Sequence, residues 1–213
     1  MNPESNSIVD SLITNFDQAL KTLVPGSVHA NRENPGASGT VELDDAERKH
    51  TAGLMRINHT GEVCAQALYQ GQALTARLPE VRDSMQHAAE EEIDHLSWCE
   101  DRLTELDSRP SLFNPVWYGL SFGLGAVAGL AGDKWSLGFV AETENQVCEH
   151  LEEHLGKIPE QDEKSKAILS QMLEDEGKHA VNAKDAGAAE LPLPIKSAMG
   201  IMATVMKATT YRL

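Results

Sequence analysis

The sequence predicts an all-α fold with a four-helix bundle at its centre. Aromatic residues make up only 5% of the 213 residues, whereas Ala, Leu and Glu are plentiful, and this composition favours helices over strands. Few stretches alternate polar and apolar residues with the period of two that is typical of a strand. Four long helical patterns instead follow one another, each ended by Pro or Gly. A chain of this length suits one domain with a short appendage.

The appendage is predicted at residues 1–45, as an N-terminal helix and a linker. An amphipathic pattern covers residues 7–24, and residues 25–43 are rich in Gly, Pro, Ser and Asn. The bundle and its additional segments are predicted to occupy residues 46–213. Its four main helices are expected at about 45–76, 80–107, 134–156 and 162–188.

Each bundle helix carries one glutamate in an otherwise apolar stripe. Steps of seven residues stay on nearly one helix face, and from Glu62 they reach Met55, Tyr69 and Ala76. A carboxylate in a helix core is costly unless it is paired or bound to a cation. The stripes therefore predict a shared cation site. The corresponding glutamates of the other three helices are Glu92, Glu144 and Glu176.

Two of these glutamates belong to a repeated Glu-x-x-His motif, in "EEEIDH" (90–95) and "EDEGKH" (174–179). Residues at i and i+3 share a helix face, so His95 joins Glu92 and His179 joins Glu176. Chance alone would give roughly one such motif in this composition. A third copy, at residues 47–50, has polar residues all round and is predicted to be a decoy.

Two helical hairpins, each with one lone Glu and one Glu-x-x-His, are the pattern of ferritin-like di-iron and di-manganese carboxylate proteins. Such carboxylate and imidazole ligands suit iron or manganese. We expect the glutamates of the two motifs to bridge the metals and the lone glutamates to be terminal ligands. The alternative is a bundle with acidic outer faces and no metal. The predicted metal ligands, which are also the predicted catalytic residues, are Glu62, Glu92, His95, Glu144, Glu176 and His179.

Charge and cysteine usage limit the partners and the compartment. The net charge of −15 argues against nucleic acid as a partner. Three cysteines without a CxxC motif fit a reducing compartment. The N-terminus "MNPESNSIVDSLI" has no signal-peptide or transit-peptide character. The sequence therefore predicts a protein of the cytosol, or one attached to a membrane from the cytosolic side.

Two segments are predicted to associate with a membrane. Residues 111–132 carry no charge, and "GLSFG" and "GAVAG" within them permit close helix packing. This run fits a buried crossover helix, an interfacial segment or a dimer contact, and we expect it to touch the bilayer. Residues 195–213, with three Met on one side and basic residues near the ends, fit an interfacial helix or a helix docked on the core.

Longer motifs resemble the demethoxyubiquinone hydroxylase family, which comprises di-iron monooxygenases of ubiquinone biosynthesis. The resemblance covers about residues 50–213 and makes no use of residues 1–45. It is carried by "NHTGEVCAQALYQGQ" (58–72), "EEEIDHL" (90–96), "AETENQVCEHL" (141–151), "EDEGKH" (174–179) and "LPLPIKSAMGIM" (191–202).

The resemblance implies that the same six ligands hold two iron ions per chain. It implies oxygen-dependent hydroxylation of the ring of a polyprenylated methoxy-methyl-benzoquinol, demethoxyubiquinol. The partners would be this quinol, dioxygen and a membrane surface, and the location the cytoplasmic face of a bacterial cell membrane, as a peripheral protein. Contacts with other ubiquinone-biosynthesis proteins and a homo-oligomer remain open.

Other functions use the same kind of site differently. A ferritin-like iron-storage or peroxide-reducing protein would need neither apolar segment, and a membrane-docked scaffold would use the bundle as a structural core. Around the site, Glu91 and Asp175 are candidates to hydrogen-bond the ligand His of the opposite hairpin. His150 and His154 are expected at the surface by default, although the resemblance makes His150 a candidate for the substrate pocket.

Overall fold

The computed structural model describes residues 8–213, which form helices and no strand, as predicted. Residues 1–7, which begin the predicted N-terminal segment, lie outside the described residues. Every predicted helix is present, with bounds that differ from the predictions by a few residues. The helices are α1 Ile8–Leu23, α2 Asp45–Thr75, α3 Pro79–Glu105, α4 Asn114–Ala131, α5 Asp133–Leu155, α6 Glu163–Asp185 and α7 Leu193–Thr210.

The bundle is built from two hairpins, α2 with α3 and α5 with α6. Helix α2 begins with a capping box, in which Asp44 accepts from the N–H of Glu47 and Glu47 accepts from the N–H of Asp44. His50 lies 2.7 Å from the Tyr211 hydroxyl through Nδ1. Glu47 thus belongs to the cap of α2, and His50 contacts the residue that follows α7.

Two apolar clusters fill the bundle, one on each side of the glutamate layer. One cluster includes Met55, Leu151 and Met172, and the other includes Val81, Val140 and Ala183. On each helix the striped glutamate lies between residues of the two clusters. The bundle therefore buries its carboxylates in the middle of its length, where water is excluded from both ends.

Helix α4 packs against α2 through small residues. A Cβ at Gly125 would overlap the carbonyl of Leu68, and one at Gly71 would overlap the carbonyl of Phe122. The "GAVAG" face thus packs closely, as predicted. A Cβ at Gly119 or Gly123 would meet no atom of the described residues within 4 Å, so "GLSFG" does not form such a face. Apolar side chains exposed on α4 are Val116, Leu120, Val127 and Leu130.

Helix α7 docks on the bundle through its methionine side. Met199 and Met206 are buried, whereas Ile201 and Val205 on the other side are exposed. The predicted helix is present, but the methionines face the protein and other apolar side chains face outwards. None of the helices in residues 8–213 combines the length and apolar character needed to cross a membrane.

Candidate metal centre

All six predicted ligand residues are buried, and they lie in the layer between the two apolar clusters. Four of them bring their ligand atoms together in one group. One possible ligand atom from each of Glu62, Glu92, His95 and Glu176 lies within 4.8 Å of the other three. Of the three carboxylates in this group, that of Glu62 is the most distant from the His95 imidazole, with Oε2 at 3.9 Å from Nδ1.

Glu92 and Glu176 each contact both imidazoles. Nδ1 of His95 lies 3.0 Å from Oε2 of Glu92 and 3.0 Å from Oε1 of Glu176. Nδ1 of His179 lies 3.3 Å from Oε1 of Glu92 and 3.1 Å from Oε2 of Glu176. Each glutamate therefore extends one oxygen towards each half of the site, which is the arrangement that a bridging carboxylate requires.

Glu144 lies apart from the group of four. It accepts a hydrogen bond from the Tyr69 hydroxyl through Oε1. Its other oxygen, Oε2, is buried and has no hydrogen-bond partner in residues 8–213. Because leaving a buried carboxylate oxygen unpaired is costly, this atom is a candidate ligand for a cation.

The carboxylates repel one another in this dry environment. Burial raises the pKa of Glu62 and of Glu144 well above the usual range, and the charges of Glu92 and Glu176 raise both further. Burial also acts to raise the pKa of Glu92, but hydrogen bonds from His179 and His95 outweigh burial and hold this pKa well below its usual range. The layer therefore needs positive charge to hold its carboxylates ionised.

The imidazoles supply that charge when protons are available. Burial acts to lower the pKa of His95, but hydrogen bonds to Asp175, Glu176 and Glu92 outweigh it and raise the pKa well above the usual value. For His179, hydrogen bonds to Glu176 and Glu92 outweigh burial and raise the pKa to about 12. A divalent cation can replace these protons, because metal ligands must be deprotonated to bind.

The far nitrogen of each imidazole contacts an acid of the opposite hairpin. Nε2 of His95 lies 3.2 Å from Oδ2 of Asp175, and Nε2 of His179 lies 2.9 Å from Oε2 of Glu91. These are the crossed contacts that the sequence predicted for Glu91 and Asp175. A proton on each Nε2 leaves Nδ1 free to bind a metal, so these acids fix the tautomer as well as the ring orientation.

A cavity of about 420 Å³ lies beside this layer, between α2, α4, α5 and α7. Gly61 and Ala65 line it next to Glu62, and Thr143 lines it next to Glu144. None of the described lining residues belongs to α3 or α6. The cavity therefore approaches the site from the side of the two lone glutamates.

The surface positions expected for His150 and His154 are wrong, because both side chains are buried. His150 lines the cavity, where α7 covers it. Nδ1 of His154 lies 2.9 Å from Oδ1 of Asn58. Burial lowers the pKa of His150 to about 3 and that of His154 to about 4, so both are neutral near pH 7. His150 therefore presents an uncharged imidazole to the cavity.

Sequence reasoning missed two charged residues beside the centre, Asp94 and Arg32. Asp94 precedes His95, is buried, and lies off the glutamate stripe. It accepts hydrogen bonds of 2.6 Å from the N–H of Asn31 and from Nε of Arg32. These two donors lie in the predicted linker, which has no periodicity that places a side chain on the bundle. The sequence held no signal for this contact.

Comparison with known proteins places the fold and the family. A solved dodecameric thioferritin, a bacterioferritin-related protein of Bacteroides fragilis, has a similar fold with a TM-score of 0.56 and 20% identity, over 67% of this chain and 85% of its own. The 3-demethoxyubiquinol 3-hydroxylase of Pseudomonas putida strain W619 is 58% identical over 208 residues, which cover 97% of each chain. That of Acinetobacter baylyi is 59% identical over 203 residues, 95% of this chain and 96% of its own.

The similarity to these hydroxylases extends beyond the region on which the resemblance rested. An alignment of 208 residues includes most of the N-terminal segment as well as the bundle. The family model of ubiquinone biosynthesis protein COQ7 matches residues 49–210, which include all six buried ligand candidates. With a family match over most of its length and relatives of this identity, the chain belongs to the COQ7 family of ubiquinone biosynthesis proteins.

Proposed function

We propose that this chain is a di-iron 3-demethoxyubiquinol 3-hydroxylase, as the names of its relatives indicate. The observation that carries the proposal is a buried layer of carboxylates and imidazoles that borders a cavity. A storage protein has no need of a ligand-sized cavity beside its metals. The cavity therefore favours the hydroxylase over the ferritin-like iron-storage or peroxide-reducing alternative and over the scaffold.

The chemistry of the donors fits two divalent cations. Buried carboxylates that repel one another, and an unpaired oxygen on Glu144, are both stabilised by bound positive charge. In the proposed assignment, Glu92 and Glu176 would hold both ions. Glu62 and His95 would complete one set of ligands, and Glu144 and His179 would complete the other. Oxygen and imidazole donors of this kind suit iron.

A bound pair of iron ions supplies the redox chemistry that activates dioxygen. The residues of the chain hold the substrate and keep water away from it. Leu68, Phe139 and Met199 give the cavity apolar walls that suit a prenylated ring. His150, neutral because burial lowers its pKa to about 3, can hydrogen-bond a quinol oxygen without adding charge. In the balanced reaction, one oxygen atom would enter a ring C–H bond and the other would leave as water, with the two electrons and two protons supplied by a quinol that is oxidised to the quinone.

We further infer peripheral attachment to the cytoplasmic face of the cell membrane. A long prenyl tail costs roughly 0.8 kcal/mol per CH₂ left in water, so the substrate resides in the bilayer. The exposed apolar side chains of α4 and α7 lie on the helices that border the cavity. Shallow insertion of these helices would bring the cavity to the lipid.

The membrane proposal is tested with charges on the outer side of α7. Replacing Ile201 and Val205 together by Glu should reduce sedimentation with anionic lipid vesicles several-fold, because each charge must be moved towards the bilayer. Replacing the exposed Ser170 and Asn182 of α6 by Glu adds the same charge on a helix that does not border the cavity. Equal binding of the Ile201→Glu, Val205→Glu variant and the wild type would contradict the membrane role of α7.

The reaction is tested by supplying the iron-loaded protein with demethoxyubiquinol and labelled dioxygen. Mass spectrometry should find a ring product that is heavier by one oxygen atom, and that atom should carry the label. Label that enters only water or peroxide, with an unchanged ring, would contradict the hydroxylase proposal and favour an oxidase or storage function.

A further inference from the structure

The segment between α1 and α2, residues 24–44, lies across the side of the metal centre that is opposite the cavity. Two consecutive residues of this segment contact Asp94 of α3. The N–H of Asn31 donates to Oδ1 of Asp94, and Nε of Arg32 donates to Oδ2, both at 2.6 Å. The segment is therefore attached to the bundle next to His95.

The same guanidinium reaches the other hairpin. NH1 of Arg32 donates to Oδ2 of Asp175 at 2.7 Å, and this is the oxygen that lies 3.2 Å from Nε2 of His95. The guanidinium carbon also lies 4.8 Å from the ring centroid of Trp98. Arg32 and the imidazole therefore share one carboxylate oxygen, and NH2 of Arg32 lies 3.4 Å from the same Nε2.

An ordinary surface ion pair would contribute little, because water screens it. The Arg32 side chain is itself 42% exposed, but its partners are buried, with the Asp94 side chain 5% exposed and the Asp175 side chain 10% exposed. The other oxygen of Asp175 accepts from Gln171 at 3.1 Å and lies 3.5 Å from Nζ of Lys178. Those two groups limit the movement of Asp175 but leave Oδ2 to Arg32 and the imidazole.

We propose that Arg32 is a positioning residue of the metal centre. By holding Oδ2 of Asp175 in place, it fixes the orientation in which Nδ1 of His95 points at Glu92 and Glu176. The proposal rests on the metal site of the proposed function. It adds a residue from outside the matched region 49–210, and it makes metal binding and the ordering of residues 24–44 mutually stabilising.

The first test measures the release of iron from the full-length, iron-loaded chain to an excess of chelator. Arg32→Ala should release iron about tenfold faster than the wild type, because outer contacts of a ligand His typically contribute this much to metal affinity. Arg32→Lys should lie between them, since one ammonium cannot bond two carboxylates in a planar fork. Arg48→Ala is the matched control, because the partners of Arg48 within residues 8–213 are two exposed acids, Asp45 and Asp107.

The second test measures hydrogen exchange of residues 24–44 with and without iron. In the wild type, iron should slow exchange in this segment, and in Arg32→Ala that protection should disappear. Unchanged exchange in α2 shows that the variant is folded. A merely structural contact would loosen the segment equally with and without iron.

The outcomes separate this proposal from the proposed function. A wild type that holds iron, with Arg32→Ala releasing it at the wild-type rate and keeping iron-dependent protection, would overturn the role of Arg32 alone. A wild type that holds no iron would overturn both. Neither readout depends on hydroxylation, so loss of turnover for another reason leaves the test valid.

Discussion

The metal centre has two unlike faces, although the sequence motif that forms it is repeated. On the face formed by α2 and α5, a cavity of about 420 Å³ lies next to the lone glutamates, lined there by Gly61 beside Glu62 and by Thr143 beside Glu144. On the face formed by α3 and α6, both ligand imidazoles are backed by acids of the opposite hairpin. The repeat therefore supplies the predicted ligands of both halves of the site, whereas the cavity lies on one side of it.

The largest effect should come from closing the cavity. Ala203→Trp places an indole among its walls, and kcat/KM for the quinol should fall roughly 100-fold because the ring is excluded. The iron content should be unchanged, since Ala203 lies on α7 and contacts no ligand. Both quantities are measured on the iron-loaded protein.

Ala198→Trp is the matched control for this experiment. Ala198 is an exposed residue of the same helix and does not line the cavity. Equal turnover by the two variants would contradict the assignment of the cavity to the substrate, because only one of them fills it.

A smaller effect, on iron affinity, should distinguish the outer contacts of His95 and His179 on the face formed by α3 and α6. Asp175→Ala should lower iron affinity by about tenfold or more, since it removes the Nε2 partner of His95. Glu91→Ala should lower the iron affinity less, because the Glu91 side chain is 44% exposed, against 10% for Asp175, and water can replace it. Competition with a chelator measures both, and the reverse order would contradict the proposed difference.

How far the sequence predicted this asymmetry depends on the kind of signal. The six ligand candidates could be found because each glutamate interrupts an apolar stripe of fixed period. Asp94 and Arg32 could not, because neither lies on a stripe and the contact between them joins residues 62 positions apart. The buried position of His150 depends on which side of α7 docks, and a stripe of methionines fits a protein core as well as a membrane. That of His154 depends on its contact with Asn58 of α2.

The smallest effect concerns pH and the cavity face. Burial lowers the pKa of His150 to about 3, followed in importance by the charges of His154 and Lys207. As pH falls through about 6.5, His150 binds a proton in the unfolded chain but stays neutral in the folded chain. The free energy of unfolding is therefore higher above this pH and decreases as pH falls below it. Between pH 7.5 and pH 5.5, His150 should lower the free energy of unfolding by about 1.4 kcal/mol.

His150→Gln should remove this part of the pH dependence, as measured by urea denaturation at the two pH values. His87→Gln, which changes a histidine that is 74% exposed, should leave the wild-type dependence intact. If both variants kept the full dependence, the titration of His150 would not contribute to it.

The central claim is that the doubled Glu-x-x-His motif holds two iron ions, and metal analysis of the purified chain tests it most directly. Wild type should contain about two iron ions per chain. The Glu92→Ala, Glu176→Ala variant should contain almost none, because both proposed bridges are removed. The Glu90→Ala, Glu174→Ala variant changes the exposed acids two residues before each bridge and should keep the wild-type content. Full iron occupancy in the Glu92→Ala, Glu176→Ala variant would contradict the assignment.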